Sequence, residues 1–331
     1  MVARILVVGL GGTIAMGEGG DGVVPSLTAA QLLDAVPGLA AGGLAASLEV
    51  EDLRQLPGAY VSFDDLDTLR AVVDERIAGG IDGVVVTQGT DTIEESAFYL
   101  DLLHHRPEPL VVTGAMRNPT LAGADGPANL LAAVQVAAAP TARGRGCLVV
   151  FADEIHAAAR VRKTHSSSIA TFRSAEGPLG YVVEGRARFV NDAVGRVTAP
   201  PPVAGAPAPR VGLVTVTLGD DMTLLAKDLV DHYDGLVVAG FGAGHVPDTL
   251  VEPLEALARQ LPVVLASRAG AGPVLAATYG FAGSESDLLR RGMLSAGRLH
   301  PFKARVLLRA LLAAGLGRDE VAAAFAEAGA G

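Results

Sequence analysis

Two threonine hydroxyls are the groups best placed for chemistry in this chain. Each sits in a glycine-rich turn straight after a run of β-branched apolar residues: Thr13 in Ile5-Leu-Val-Val-Gly-Leu-Gly-Gly-Thr-Ile-Ala15, and Thr90 in Val84-Val-Val-Thr-Gln-Gly-Thr-Asp-Thr92. A threonine hydroxyl is a poor nucleophile at neutral pH. It needs a neighbouring base and a group of backbone N–H donors for the developing oxyanion, and tight glycine turns can supply the donors. The second turn adds a carboxylate, Asp91. Two plainer readings stand beside this one. Gly9-Leu-Gly11 lacks the third small residue of a dinucleotide fingerprint, because Ile14 stands there, so a nucleotide loop is disfavoured. Thr90-Asp91 could equally be a helix cap.

The elements that must hold these turns alternate as βαβ crossovers do. Strand patterns fall at 3–9, 46–53, 83–87, 109–114 and 147–151, and helix patterns at 28–36, 63–78, 92–104 and 126–138, with a hairpin over 181–190 turning at Glu184-Gly-Arg186. Continuous Val/Ile/Leu runs read as strands buried on both faces of a parallel sheet, and ligands bind outside the carboxyl ends of such strands. Residues 198–210, TAPPPVAGAPAPR, favour an extended polyproline conformation and mark the expected linker between an N-terminal domain (1–197) and a C-terminal domain (211–331). Beyond it strands are expected at 211–217, 235–239 and 262–266, and helices at 222–232, 249–260, 284–291 and 302–314.

Composition narrows the function classes. With 26 basic and 36 acidic residues the net charge is −10, which argues against nucleic-acid and anionic-membrane surfaces. No apolar run approaches the ~20 residues of a spanning helix. Cys147, the only cysteine, lies in the apolar run Cys147-Leu-Val-Val-Phe151 and fits a reducing, cytoplasmic compartment. The seven histidines show no metal-ligand spacing, and neither a metal nor another cofactor is expected. Only three lysines occur, Lys163, Lys227 and Lys303. Lys163 lies among Arg160, Arg162 and His165, which taken alone reads as a solvated basic loop.

Five segments in order, Gly11-Gly-Thr-Ile-Ala15, Gln88-Gly-Thr-Asp-Thr-Ile-Glu-Glu95, Gly114-Ala-Met-Arg117 with Ala124-Asp-Gly-Pro-Ala-Asn129, Arg162-Lys-Thr164 with Ala170-Thr-Phe172, and Lys303-Ala-Arg-Val-Leu307, resemble the bacterial-type L-asparaginases. The resemblance implies an α/β fold with a mostly parallel sheet in the N-terminal domain, a smaller flavodoxin-like α/β C-terminal domain, and a homodimer or homotetramer. It implies hydrolysis of the side-chain amide of L-asparagine, with minor glutaminase activity, and an acyl-threonine intermediate on Thr13. Thr90, Asp91 and Lys163 match the family's second catalytic group. There the hydroxyl lies near the substrate amide, the lysine accepts its proton, and the aspartate pairs with the substrate ammonium. Ala115 matches a carbonyl that accepts from the leaving amide nitrogen, and Gln55 a side chain at the substrate's amino-acid end.

Three departures from the family pattern follow. The loop tyrosine expected after the first threonine is replaced by Asp21-Gly-Val-Val-Pro25, leaving water, Lys163 through Thr90, Tyr60 or Tyr279 to activate Thr13. Arg54 precedes Gln55 where the family has serine. It could clamp the substrate carboxylate or turn away into a salt bridge. His245, in Gly240-Phe-Gly-Ala-Gly-His245, stands where an asparagine reaches a neighbouring subunit's pocket, with Glu285 a candidate acidic partner. Two other functions fit less well: a non-catalytic amino-acid sensor that keeps the pocket, and the amidase subunit of a tRNA-dependent amidotransferase, which would want a basic surface.

Overall fold

Runs of β-branched residues become the buried centre of a sheet, and Val84, Val85 and Val86 have no exposed surface at all. The computed structural model describes the chain except residues 1, 20–21, 26, 37–38, 40–45, 193–194, 220, 222, 224–228 and 331. The chain divides into two compact units, residues 1–193 and 194–331.

The first unit runs β1 (Ala3–Gly11), β2 (Met16–Gly19), β3 (Gly22–Pro25), α1 (Ala29–Asp34), β4 (Ala46–Leu56), α2 (Phe63–Ala78), β5 (Gly83–Thr87), α3 (Ile93–Leu103), β6 (Leu110–Thr113), α4 (Gly126–Ala137), β7 (Cys147–Phe151), β8 (Glu154–Ala157), β9 (Val161–Lys163), β10 (Phe172–Ser174), β11 (Gly180–Val183) and β12 (Arg186–Phe189). Its eight-stranded sheet has the order β12-β11-β8-β7-β6-β5-β1-β4. The five strands from β4 to β7 are mutually parallel, and β8, β11 and β12 continue antiparallel. After β1 the chain moves out to β4 on one side, then crosses to β5 on the other. That reversal puts a crevice outside the carboxyl ends of β1 and β5, where Thr13 and Thr90 follow.

Local sequence explains the helix starts. Ser62 caps α2 in a reciprocal box with Asp65, as expected for that spacing. The hairpin β11–β12 turns at Glu184 (φ 50°) and Gly185 (φ 71°), the left-handed pair that a two-residue loop requires. Strands β2 and β3, β8, β9 and β10 were not expected. All are short, and none carries the long apolar run that marks a parallel strand. Of the stretch read as the departing loop, 22–25 forms β3, paired antiparallel with β2, while Asp21 lies outside the described residues.

The second unit carries β13 (Val211–Thr215), α5 (Leu229–His232), β14 (Gly235–Gly240), α6 (Val251–Ala258), β15 (Val263–Ser267), α7 (Glu285–Arg290), β16 (Leu294–Ser295), α8 (Pro301–Ala313) and α9 (Arg318–Ala330). Its four strands are parallel in chain order, with α8 against β13, β14 and β15. Within this unit the proline-rich stretch contacts α8, Val203 N–H donating to Ala313 O at 2.8 Å. Strand β16 and helix α9 are additions to the expected elements. Of the helix expected over 222–232 only its end, α5, is described, and Lys227 lies outside the described residues.

Candidate active site

Three glycines bring the turns together. Gly12, at φ +85°, lies so close to the second turn that a Cβ there would stand 2.1 Å from Gly89 N. A Cβ on Gly89 would in turn meet Gly58 Cα at 2.4 Å. No side chain fits at either contact, so the glycines are required for close backbone approach rather than for flexibility. The pairing of β1 with β4 shifts register between Gly9 and Gly11, from Gly9 opposite Asp52 to Gly11 opposite Leu56. This bulge brings Gln55 and Leu56 alongside the first turn, where Gly12 N–H donates to Leu56 O at 2.9 Å.

Thr13 is half-buried, and among the described residues its hydroxyl has no hydrogen-bond partner. Thr90 is 5% exposed, and Lys163 Nζ lies 3.0 Å from its Oγ1. The same Nζ is 2.9 Å from Asp91 Oδ1. The helix-cap reading of Thr90-Asp91 is thereby corrected. The N-cap of α3 is Thr92, whose hydroxyl does not cap but donates to Gly58 O at 2.9 Å. Gln88 Nε2 donates to Ser96 Oγ at 2.8 Å, so the turn is tied to the helix from below. The solvated-loop reading of Lys163 fails too. Its side chain is only 16% exposed, and it stands on β9, paired with β10.

Ala115 is fully buried, and the glycine before it packs on this cluster: a Cβ at Gly114 would meet the Thr90 methyl at 3.4 Å. The Ala124–Asn129 segment explains itself here. Asp125 accepts the backbone N–H groups of Met116 (3.1 Å) and Arg117 (2.8 Å), and Asn129 Nδ2 donates to Gly114 O at 3.0 Å. These two side chains brace the Ala115 backbone, a role the sequence motif signalled without stating. Gln55 is exposed, with no partner for its side-chain amide among the described residues.

Arg54, a candidate for the substrate carboxylate, is held by groups of the protein itself. Its Nε donates to Asp65 Oδ1 at 2.8 Å and its NH1 to Leu53 O at 2.9 Å, so it takes the salt-bridge alternative. The bulge that presents Gln55 turns its neighbour toward α2. The Ser62 hydroxyl, then the Ser62 N–H and after it the Arg54 guanidinium, outweigh burial and hold the Asp65 carboxyl below its usual range.

His245 lies in the second unit, where its Nε2 is 3.1 Å from Glu285 Oε2. Tyr279 and Phe281 meet its ring edge-on, at centroid distances of 4.8 and 5.1 Å. The Glu285 carboxylate has no exposed surface and accepts the N–H groups of Thr278 (3.0 Å) and Tyr279 (2.9 Å). Thus the two C-terminal candidates are partners of one another.

Among the described residues no cluster of three or more His, Cys, Asp or Glu could hold a metal ion, and no helix is long and apolar enough to cross a membrane. A cavity of about 60 Å³ lined by Ile14, Leu32 and Leu130 is mostly apolar, and none of Thr13, Thr90, Asp91 and Lys163 lines it.

Residues 4–195 match the N-terminal asparaginase family model, and 210–325 the glutaminase/asparaginase C-terminal domain. A probable L-asparaginase of Deinococcus radiodurans is 37% identical over 98% of this chain and 97% of its own length. L-asparaginase 2 of Escherichia coli K12 is 35% identical over 93% of this chain and 88% of its own. The crystal structure of a probable cytoplasmic L-asparaginase from Campylobacter jejuni superposes with a TM-score of 0.86 at 34% identity, covering 98% of this chain and 99% of that one. With both halves matched, in order and over nearly the whole length, this chain belongs to the bacterial-type L-asparaginases, a family of enzymes.

Proposed function

We propose that this enzyme converts L-asparagine to L-aspartate and ammonia through an acyl ester on Thr13. The observation that carries the proposal is the triangle of Lys163 Nζ, Thr90 Oγ1 and Asp91 Oδ1, with sides of 3.0 and 2.9 Å from the lysine, on a turn that packs against the turn bearing Thr13. In the first step Thr13 Oγ bonds to the amide carbon, the C–N bond breaks, and the nitrogen leaves as ammonia with the hydroxyl proton. In the second, water adds to the ester and the acyl C–O bond breaks, one water proton regenerating the Thr13 hydroxyl and the other leaving the new carboxylate for ammonia, which departs as ammonium. The Thr90 hydroxyl and Lys163 form the proton path, since a hydroxyl held by an amine can hand a proton on in either direction.

Asp91 suits the substrate ammonium, because its side chain is 60% exposed while its Oδ1 is fixed by Lys163. Gln55 serves the amino-acid end, and the braced Ala115 carbonyl accepts from the leaving amide. Glutamine is one methylene longer, a difference worth about 1–3 kcal/mol of discrimination, so minor glutaminase activity accompanies the main one. The enzyme works as a cytoplasmic homodimer or homotetramer, with His245 serving a neighbouring copy's pocket.

The test is ammonia release by the purified protein, with L-asparagine in excess. Thr13→Ala is expected to lose about a thousandfold or more in kcat while still binding L-aspartate. A wild-type protein that binds aspartate yet releases no ammonia from any amide would instead be an amino-acid sensor.

A further inference from the structure

Lys163 stands on a strand that the main sheet does not hold. Strand β9 is three residues long and, among the described residues, pairs only with β10, in a two-stranded sheet. Isolated two-stranded ladders are marginally stable, so something else must fix where this strand sits. At its far end, Ser174, which pairs with Val161, lies 3.0 Å from His156 Nδ1 on β8. At the end bearing the lysine, the backbone N–H of Lys163 donates to Glu94 Oε2 at 3.3 Å.

Glu94 is 6% exposed and sits in the first turn of α3, where the positive end of the helix dipole favours a carboxylate. The same helix begins directly after the turn that carries Thr90 and Asp91. One side chain therefore ties the backbone of Lys163 to the element that presents both partners of its Nζ. We propose that Glu94 is the positioning residue of the site, setting the reach of Lys163 to Thr90. This rests on the reading that Lys163 and Thr90 carry the proton path.

The geometry is demanding, because Nζ must satisfy contacts of 3.0 and 2.9 Å at once. Misplacement of a catalytic group by about 1 Å can cost on the order of a hundredfold in rate. Glu94→Ala leaves the strand end without its acceptor. Glu94→Gln keeps an acceptor oxygen at the same reach and removes only the charge.

The experiment measures kcat and KM for asparagine with the full-length protein carrying Glu94→Ala, Glu94→Gln, Lys163→Met, or Glu94→Ala with Lys163→Met. Glu94→Ala is expected to lower kcat by about 10–100-fold with KM changed less than about threefold, and Glu94→Gln to stay within about threefold of wild type. In the Lys163→Met background, Glu94→Ala should change kcat by less than about twofold, because there is no amine left to position. An undiminished effect in that background, a Glu94→Gln as slow as Glu94→Ala, or an unaffected Glu94→Ala beside a slow Lys163→Met would overturn the assignment of Glu94 alone. A Lys163→Met enzyme with wild-type kcat would overturn the proton path, and this inference with it. If Glu94→Ala does not fold, Glu94→Asp, whose carboxylate is withdrawn by one methylene, replaces it under the same criteria.

Discussion

Asp91 meets Lys163 in the first unit and Glu285 meets His245 in the second, at 2.9 and 3.1 Å, yet the two pairs are built in opposite senses. In the first the carboxylate is 60% exposed and the cation 16%. In the second the carboxylate is fully buried and the imidazole 23% exposed. Glu285 gives its oxygens to two backbone N–H groups and to His245, and so holds the 278–285 loop to the turn that ends at His245. Asp91 anchors one oxygen on Lys163 and keeps an exposed side, as the proposed pairing with a substrate ammonium requires. A carboxylate that must receive a substrate differs from one that fixes a loop in how much of its surface is left open, and the length of its ion pair does not tell them apart.

Removing the cation of the first pair should have the largest effect. Lys163→Met is expected to lower kcat by roughly 10²–10⁴-fold, the range for losing a positioned acid–base group, with little change in melting temperature. Steady-state kinetics beside thermal unfolding checks both halves. A variant that unfolds instead of slowing would make the first pair structural and erase the contrast.

Next in size is the backbone contact that brings the turns together. Gly12→Ala would place a Cβ 2.1 Å from Gly89 N at a left-handed φ of +85°, where no flexible side chain can give way. A loss of about 2–4 kcal/mol in unfolding free energy is expected, together with most of the activity. Denaturant unfolding measures the first and ammonia release the second.

Glu285→Gln probes the second pair. Burial pushes the Glu285 carboxyl up, but the N–H groups of Tyr279, of Glu285 itself and of Thr278, and His245 beyond them, outweigh it and hold the group below 4.5. A depressed value means that the ionised form stabilises the fold above the ordinary carboxylate range, and that this is lost as pH falls through the native-state value. The variant should therefore be less stable by about 1–3 kcal/mol at neutral pH. The gap should narrow as pH drops below 4.5. Thermal melts of both proteins from neutral pH downward would show it, and a gap that stays constant into acid would break the assignment.

The smallest effect is expected at Arg54, whose side chain is 39% exposed. Arg54→Ala should cost no more than about 1 kcal/mol, as exposed ion pairs do, and should leave KM for asparagine within about twofold. A KM raised tenfold or more would return Arg54 to the substrate carboxylate.

Much of the fold was legible because long apolar runs leave few alternatives. Strands β1, β5, β6 and β7 and helices α2, α3 and α4 fall where periodicity puts them, and among these helices only α2 is capped by a side chain, that of Ser62. The pieces it hid are short and polar. Strand β9, Val-Arg-Lys, has neither the length nor the alternation to announce itself, although it carries the lysine of the site. In the site, the glycines and hydroxyls of the two turns were readable from type and spacing. The supporting roles of Asp125 and Asn129 were visible only as a motif without a task, and Glu94 only as an acid near a helix start.

By itself, then, the sequence determined which strands are buried, which turns need glycine, and which family the motifs resemble, because each of these depends on residues close together along the chain. Tertiary structure decided which charges meet. Lys163 and Asp91 are 72 residues apart and His245 and Glu285 are 40 apart. Arg54 had two partners open to it and took Asp65 because a bulge in β4 turned it that way. Pairing of that kind rests on distances between separate elements, which packing sets and local pattern does not encode.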